Sequence, residues 1–225
     1  MRGLIRNNYY TIESTLYASI GIFIFSILTI IVGNIAFSDT MDNASMISLA
    51  FMGGFSSLSH ALLQNNSTSK WDKFELTTPI SKGDVIKSRY IVFALSVLVG
   101  IGGMLFIFMT ESIVLKNFNF MLNLDKYEFE LALAFSFLTL IPAISHPLTL
   151  IFGVDKCQII FMLSVMLSLA YFIAPSLLFN EFNQFLVDNF TDSDLAYRLI
   201  MSGLSVVIFS FSYMISKNIY LNKDL

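Results

Sequence analysis

Charged residues are scarce in this chain, making up 13% of its 225 residues, whereas 56% of the residues are hydrophobic. Soluble domains average about 25% charged residues. A soluble domain of this length would have to hide more apolar surface than one core can hold. The scarcity of charge therefore excludes a soluble fold and predicts a protein whose apolar faces lie in lipid.

Cysteine and the common ligand-binding motifs are also nearly absent. Cys157 is the single cysteine, so an internal disulfide is excluded. It has no histidine close to it in sequence, and a lone cysteine of this kind is expected to serve packing. The sequence contains no G-x-x-x-x-G-K-[ST] loop and no H-E-x-x-H helix. We therefore expect this chain to bind no cofactor, no metal ion and no nucleic acid.

Long stretches without charge define the predicted membrane spans. Crossing a bilayer takes roughly 20 helical residues, and each span must be helical because lipid offers backbone groups no partners. The chain is therefore predicted to be an all-α membrane protein with one transmembrane domain over residues 1–225. The six spans are expected at about 15–37, 45–64, 90–110, 131–151, 158–179 and 199–216.

Lysine and arginine set the expected orientation of these spans. With the N-terminus inside, ten of the thirteen basic residues lie in cytoplasmic segments, and Lys116, Lys126 and Arg198 lie outside. Such a bias is typical of cytoplasmic loops. We therefore expect a multi-pass protein of the cell membrane with both termini in the cytoplasm.

The residues before the first span have the pattern of an amphipathic surface helix. Leu4, Ile5, Tyr9, Ile12 and Leu16 recur at helical spacing, while the charged residues lie elsewhere around the helix. A separate surface helix over residues 1–14 is therefore predicted. A short cytoplasmic tail is the alternative interpretation.

The segment between the second and third spans has two predicted helix starts. Ser69 and Ser81 each precede a capping-box pattern, and Pro79 forces the residue before it out of helical conformation. We expect a short cytoplasmic helix over Lys70–Thr77, then a turn, then a second helix. That second helix begins in the cytosol and continues unbroken into the third span.

An aromatic pair stands out on the short predicted helix. Trp71 and Phe74 lie three residues apart and therefore share a helix face, with Lys70 and Lys73 beside them. Two interpretations stay open. A tryptophan between lysines at a membrane boundary is typical of an interfacial anchor, and an aromatic residue ringed by charge is also typical of a docking site for a protein partner.

Few titratable groups lie within the predicted spans. His60 and His146 are the ones of note, and the lack of deeply placed acidic or basic residues argues against an ion-driven transporter. His60 follows three nearby serines, but they share one helix and no G-x-S-x-G motif is present. A membrane enzyme is therefore the least favoured class.

Two further residue sets are candidate moving or binding parts. Pro142, Pro147 and Gly153 predict a bent or broken fourth span, which is either a static kink or a gating hinge. Acidic and aromatic residues in the outer segments predict either plain surface elements or a lip over an exit path. The candidate lip residues are Asp125, Glu128, Phe182 and Phe185.

Several stretches resemble small six-span permease subunits of type-2 ABC exporters. They are Lys70-Trp71-Asp72-Lys73-Phe74, Thr78-Pro79-Ile80-Ser81-Lys82, Ile86-Lys87-Ser88-Arg89-Tyr90, the N-terminal Met1–Arg6, and Pro147 through Phe152-Gly153-Val154-Asp155-Lys156. Within that family the chain most resembles permeases that export phenol-soluble modulins, and also bacteriocin-immunity exporters. Thr78 and Cys157 depart from the family, which usually has an apolar and a basic residue there.

The resemblance implies a role and a set of partners. A separate cytoplasmic ATPase, holding ATP and Mg²⁺, would dock on the coupling residues, and a second permease subunit would complete the path through the lipid membrane. The exported compound would be an amphipathic peptide or similar hydrophobic molecule. A non-transporting immunity or sensing protein that binds a peptide is the alternative. The implied coupling residues are Lys70, Trp71, Asp72, Lys73, Phe74, Pro79, Ser81 and Lys82.

Overall fold

The described part of the chain is a bundle of long helices. The computed structural model describes residues 2–36, 43–68, 81–114, 124–178 and 193–222. Within these ranges one 3₁₀ turn, Val154–Lys156, lies between the helix that ends at Phe152 and the helix that begins at Cys157. The α-helices are α1 (Arg2–Ala36), α2 (Asn43–Thr68), α3 (Lys82–Val114), α4 (Leu124–Phe152), α5 (Cys157–Leu178) and α6 (Ser193–Leu221).

Five of these helices are long and apolar enough to cross a membrane. The spans so defined among the described residues are Gly3–Thr29, Lys82–Ile113, Tyr127–Phe152, Val154–Phe172 and Asp194–Leu221. The prediction of an all-helical membrane protein is therefore confirmed. α2, with 26 residues, is not among the five, so the sixth span stays a prediction.

The N-terminal segment is helical but is not a separate element. α1 runs without a break from Arg2 to Ala36, so no joint divides a surface helix from the first span. Leu4, Asn8 and Ile12, spaced one turn apart, are the buried residues of its first three turns. The separate N-terminal surface helix is therefore not confirmed. The predicted helix over Lys70–Thr77 lies outside the described residues.

Antiparallel helices give the bundle two ends of different charge. Near one end, α1 contacts the start of α3 through Asn8 and Ser88, and α4 contacts α6 through His146 and Ser216. We call this the basic end, because it holds Arg6, Lys82, Lys87, Arg89, Lys156 and Lys217. The opposite, acidic end holds Glu111, Glu128, Glu130 and Asp194, with Arg198 among them.

α5 buries small polar side chains and exposes large apolar ones. On α5, Ser164 and Ser168 are fully buried, whereas Ile159 and Met166 are about 70% exposed. Each of the two serines donates a hydrogen bond to the carbonyl four residues earlier in its own helix, so its hydroxyl needs no outside partner. Small side chains let helices approach closely, and lipid is the natural solvent for the apolar exterior.

α4 is the central helix of the bundle. It packs against α2, α3, α5 and α6. In its most apolar stretch 61% of the residues are buried, a larger share than in any other candidate span. Pro142 and Pro147 both lie inside it, and the helix continues through them to Phe152. The fourth span is therefore not broken at either proline.

Three glycines lie where the fold restricts a side chain. A Cβ at Gly100 of α3 would lie 2.8 Å from Leu138 Cδ1 of α4, and a Cβ at Gly54 of α2 would lie 3.0 Å from Ile22 Cδ1 of α1. At Gly153 it is the backbone conformation, and not a neighbouring side chain, that disfavours any residue other than glycine. Its φ of 88° and ψ of 161° belong to a region that is essentially restricted to glycine. Gly153 thus ends α4 and turns the chain toward α5.

Gly153→Ala should lower the free energy of unfolding by about 1–3 kcal/mol, because a Cβ strains this backbone conformation. Gly102→Ala is the matched control, since Gly102 is an exposed helical glycine with nothing within 4 Å of an added Cβ. The control should leave stability unchanged or raise it. Circular dichroism during sodium dodecyl sulfate titration of the purified protein measures both. Equal stabilities for the two variants would contradict the assignment of strain to Gly153.

Candidate functional site

The first turns of α3 begin at a capped helix terminus. The Asp84 backbone N–H contacts both the side-chain oxygen of Ser81, at 3.1 Å, and its carbonyl oxygen, at 2.9 Å. This is the N-cap arrangement, and the helix start predicted at Ser81 is confirmed. Lys82 is the first residue of α3. We call Ser81–Tyr90 the α3 N-terminus.

Most of the predicted coupling residues precede this helix start. Lys70, Trp71, Asp72, Lys73, Phe74 and Pro79 lie outside the described residues. Ser81 and Lys82 are described and lie at the basic end. The α3 N-terminus is thus the described element that follows the predicted coupling segment directly in the chain.

One side of the α3 N-terminus is bonded to α1. The side-chain amide of Asn8 donates to the Ser88 hydroxyl at 3.1 Å, and both residues are fully buried. Ser88 itself donates to the carbonyl of Val85 at 2.7 Å. α2 joins the same region, because the Asn65 amide donates to the Thr11 carbonyl of α1 at 2.9 Å. The helix predicted to lie on the surface is therefore packed into the basic end.

Tyr90 is the main contact on the other side of the α3 N-terminus. Its hydroxyl lies 2.6 Å from the Ser212 oxygen and 2.9 Å from the Ser216 oxygen, both on α6. Its ring packs at 5.1–5.7 Å between centroids against four other rings. These belong to Phe93, His146, Phe209 and Tyr213.

His146 joins this cluster from α4. It is fully buried, and its Nδ1 lies 3.0 Å from the Ser216 oxygen. Its Nε2 has no hydrogen-bond partner among the described residues. The hydroxyl of Ser212 donates to the Ala143 carbonyl of α4 at 2.6 Å. The cluster therefore connects α3, α4 and α6 through buried polar atoms.

A buried positive charge lies next to this cluster. Arg89 is only 3% exposed, and its guanidinium carbon lies 5.9 Å from the centroid of the Tyr220 ring on α6. This distance is within the range of a cation–π interaction. The sequence showed Arg89 only as one basic residue at a span boundary, because nothing in its local pattern pointed to Tyr220.

Cys157 is buried and has a histidine neighbour from another helix. Its sulfur lies 3.3 Å from His60 Nδ1, and the His60 ring packs against Phe161 at 4.8 Å. The pair joins α2 to the start of α5. The two residues are 97 positions apart in sequence, so local spacing held no sign of this contact.

The candidate lip residues that the structure describes lie at the acidic end. Glu128 forms an ion pair with Arg198 of α6 at 3.3 Å, and Asp125 lies in the first turn of α4. Nearby, Tyr127 donates to the buried Glu111 carboxylate at 3.0 Å and stacks on Phe108. Phe182 and Phe185 lie outside the described residues, so their place beside Glu128 stays a prediction.

The chemistry of these clusters is hydrogen bonding and packing. No group of three or more His, Cys, Asp or Glu side chains that could hold a metal ion occurs in the ranges that the structure describes. The arrangement instead joins helices across the basic end, which is suited to transmitting a displacement from one helix to another.

The chain matches, over residues 3–221, the model of a family described as ABC-2 family transporter protein. The match covers nearly the whole chain, and the protein therefore belongs to this family of multi-pass membrane permeases. Membership implies partnership with an ABC ATPase. Neither the curated proteins nor the solved structures compared with the chain gave a match.

Tyr90→Phe should lower the free energy of unfolding by about 1–2 kcal/mol, because it removes two buried hydroxyl contacts and keeps the ring. Tyr9→Phe is the control, since Tyr9 is 47% exposed and makes an edge contact with Tyr10 that a phenylalanine ring preserves. Detergent unfolding followed by circular dichroism measures both variants. A Tyr90→Phe protein as stable as the control would show that the hydroxyl cluster does not hold α3 to α6.

Proposed function

We propose that the chain is the transmembrane subunit of an ATP-driven exporter that works with a separate cytoplasmic ABC ATPase. Family membership supports the permease role. The sequence contains no G-x-x-x-x-G-K-[ST] loop, so binding and hydrolysis of ATP with Mg²⁺ are assigned to the partner.

The basic end is proposed to face the cytoplasm. Among the described residues it collects most of the basic ones, including Arg6, Lys82, Lys87, Lys156 and Lys217, which is typical of the cytoplasmic side of a membrane protein. Both termini and residues 69–80 then lie in the cytoplasm, where an ATPase can reach them.

The α3 N-terminus is the observation on which the coupling proposal rests. It follows residues 69–80 directly, starts at the Ser81 cap, and within three turns contacts α1 through Ser88 and α6 through Tyr90. An ATPase that displaces residues 69–80 would act on a helix already bonded to the rest of the bundle. Rigid secondary structure of this kind is what carries energetic coupling between distant sites.

Each coupling residue has a proposed role. Trp71 and Phe74 would be the aromatic anchors of the docking surface, a residue type enriched at interface hot spots. Lys70, Asp72 and Lys73 would supply the charged rim, and Lys82 would extend it onto α3. Pro79 and Ser81 would fix the turn and the helix start that follow.

The central helix is the proposed moving part. Pro142 and Pro147 leave two carbonyls of α4 without their usual intrahelical donors, and Gly153 allows the change of direction toward α5. The proposed hinge therefore lies beside the Tyr90 cluster, where α3 meets α4 and α6.

The proposed cargo is an amphipathic peptide or a similar hydrophobic compound, moved outward along the interface of two permease subunits. Asp125 and Glu128 at the acidic end, with Phe182 and Phe185, would form an outer lip suited to a cationic amphipathic molecule. Support for this part comes from the charge of the acidic end and from the resemblance to exporters of such peptides.

Trp71→Ala should weaken binding of the partner ATPase to the permease in lipid nanodiscs. Truncating an aromatic hot spot costs about 2 kcal/mol, or about 30-fold in Kd. Phe182→Ala is the matched control, because it removes an aromatic residue from a segment predicted to lie on the other side of the membrane. Microscale thermophoresis with the purified ATPase measures both.

Equal affinities for the wild type and Trp71→Ala would remove Trp71 from the docking surface. An absence of any ATPase binding by the wild-type permease would contradict the exporter itself and favour a non-transporting peptide-binding protein.

A further inference from the structure

Pro147 removes the usual intrahelical donor from a buried carbonyl of α4. Proline has no N–H, so the carbonyl four residues earlier, that of Ala143, loses its intrahelical donor. Ala143 is 3% exposed. No water is present in the hydrocarbon core to replace the lost bond, and an unsatisfied backbone group there is costly.

α6 supplies the missing donor. The Ser212 hydroxyl donates to the Ala143 carbonyl at 2.6 Å, across 69 residues of sequence, and Ser212 is 4% exposed. This bond stands in for the one that Pro147 removes from α4.

The hydroxyl groups next to Ser212 can then donate in only one order. A serine hydroxyl has a single hydrogen, and that of Ser212 is used on Ala143. The 2.6 Å contact with Tyr90 therefore requires Tyr90 to donate to Ser212. The 2.9 Å contact between Tyr90 and Ser216 in turn requires Ser216 to donate to Tyr90.

His146 begins this chain of donors. The Ser216 hydrogen is used on Tyr90, so the 3.0 Å contact with His146 Nδ1 requires Nδ1–H to donate to Ser216. The order runs from His146 to Ser216, Tyr90, Ser212 and finally the Ala143 carbonyl. The chain starts and ends on α4, at His146 and Ala143, which both lie in the turn that precedes Pro147.

Tyr90 is the member that comes from α3. It lies nine residues after the Ser81 cap, a distance of about 14 Å along a helix that rises 1.5 Å per residue. A displacement of the α3 N-terminus therefore moves the Tyr90 hydroxyl, while the serines on α6 and the carbonyl on α4 belong to other helices.

We propose that Tyr90, Ser212 and Ser216 are positioning residues that hold the Pro147 segment of α4 in one conformation, and that displacement of the α3 N-terminus releases it. The hydrogen-bond chain stands on its own, and the release step rests on the proposed coupling function. In the released state Ser212 no longer accepts a hydrogen bond from Tyr90, so its hydroxyl is no longer held toward the Ala143 carbonyl and α4 is free to rearrange around Pro147. One tyrosine hydroxyl thereby joins the proposed hinge to the α3 N-terminus.

A double-mutant cycle with Ser212 and Pro147 tests whether the Ser212 hydroxyl replaces the donor that Pro147 removes from the Ala143 carbonyl. Ser212→Ala should raise the unfolding equilibrium constant about tenfold, because a buried carbonyl is left without a donor. Pro147→Ala returns an N–H to α4, so in that background Ser212→Ala should raise the constant clearly less, and what remains is the acceptor that Tyr90 loses. Ser210→Ala is the matched control, since Ser210 is exposed on the same helix and donates to Val206 of that helix.

The release step is tested with the same variants in the assembled complex. ATP-dependent uptake of a fluorescent cationic amphipathic helical peptide into inside-out vesicles, together with ATP hydrolysis, is measured for each permease paired with its ATPase. The Pro147→Ala/Ser212→Ala protein should regain most of the stability that Ser212→Ala loses and still lose most peptide uptake. Tyr90→Phe should lose uptake while ATP hydrolysis continues.

Three results would overturn the proposal or part of it. If Ser212→Ala changed the unfolding equilibrium constant equally with and without Pro147, Ser212 would not be the replacement for the missing donor. Recovery of both stability and uptake in the double variant would show that the chain serves stability alone. A wild-type complex without ATP-dependent uptake would overturn the proposed function and the release step, while the stability cycle would still decide the pairing.

Discussion

The hydrocarbon core of a membrane contains no water, so every polar group buried there must find its partner within the protein. This constraint accounts for the distribution of side chains in the bundle. The buried serines of α5 bond to carbonyls of their own helix, and the buried hydroxyls of the basic end bond across helices. Large apolar residues such as Met166 and Phe211 lie on the outside. The packing faces therefore combine an apolar core, which includes Phe93 and Phe108, with small polar side chains that bond within or between helices.

The same constraint gives the α3 N-terminus its importance. Asn8, Tyr90 and Arg89 connect it to α1 and α6, and each of these contacts is buried where a lost partner cannot be replaced by water. If this segment moves, either its neighbours move with it or buried hydrogen bonds break, and breaking them costs free energy because water cannot replace the lost partners. In a permease that depends on an ATPase for energy, such a segment is suited to receiving the movement of the partner.

The sequence predicted the helices better than it predicted the contacts between them. Uncharged stretches located the helices, and the Pro79–Ser81 pattern located the start of α3. Tyr90 and Ser212 are 122 residues apart, and Cys157 and His60 are 97 apart, so local spacing held no sign of either pair. Apolar periodicity was a partial guide to the buried face of α1. It selected Leu4 and Ile12, which are buried, but it also selected Tyr9, which is exposed, and passed over Asn8, which is fully buried.

The central claim is that the α3 N-terminus and the Pro147 region of α4 respond together to the ATPase. Hydrogen–deuterium exchange of the permease in nanodiscs tests it most directly, with and without the ATP-loaded partner. The account predicts that amide exchange changes in residues 82–90 and in residues 143–149 on the same addition of ATP. A change confined to the residues that precede Tyr90, with 143–149 unaffected, would contradict it.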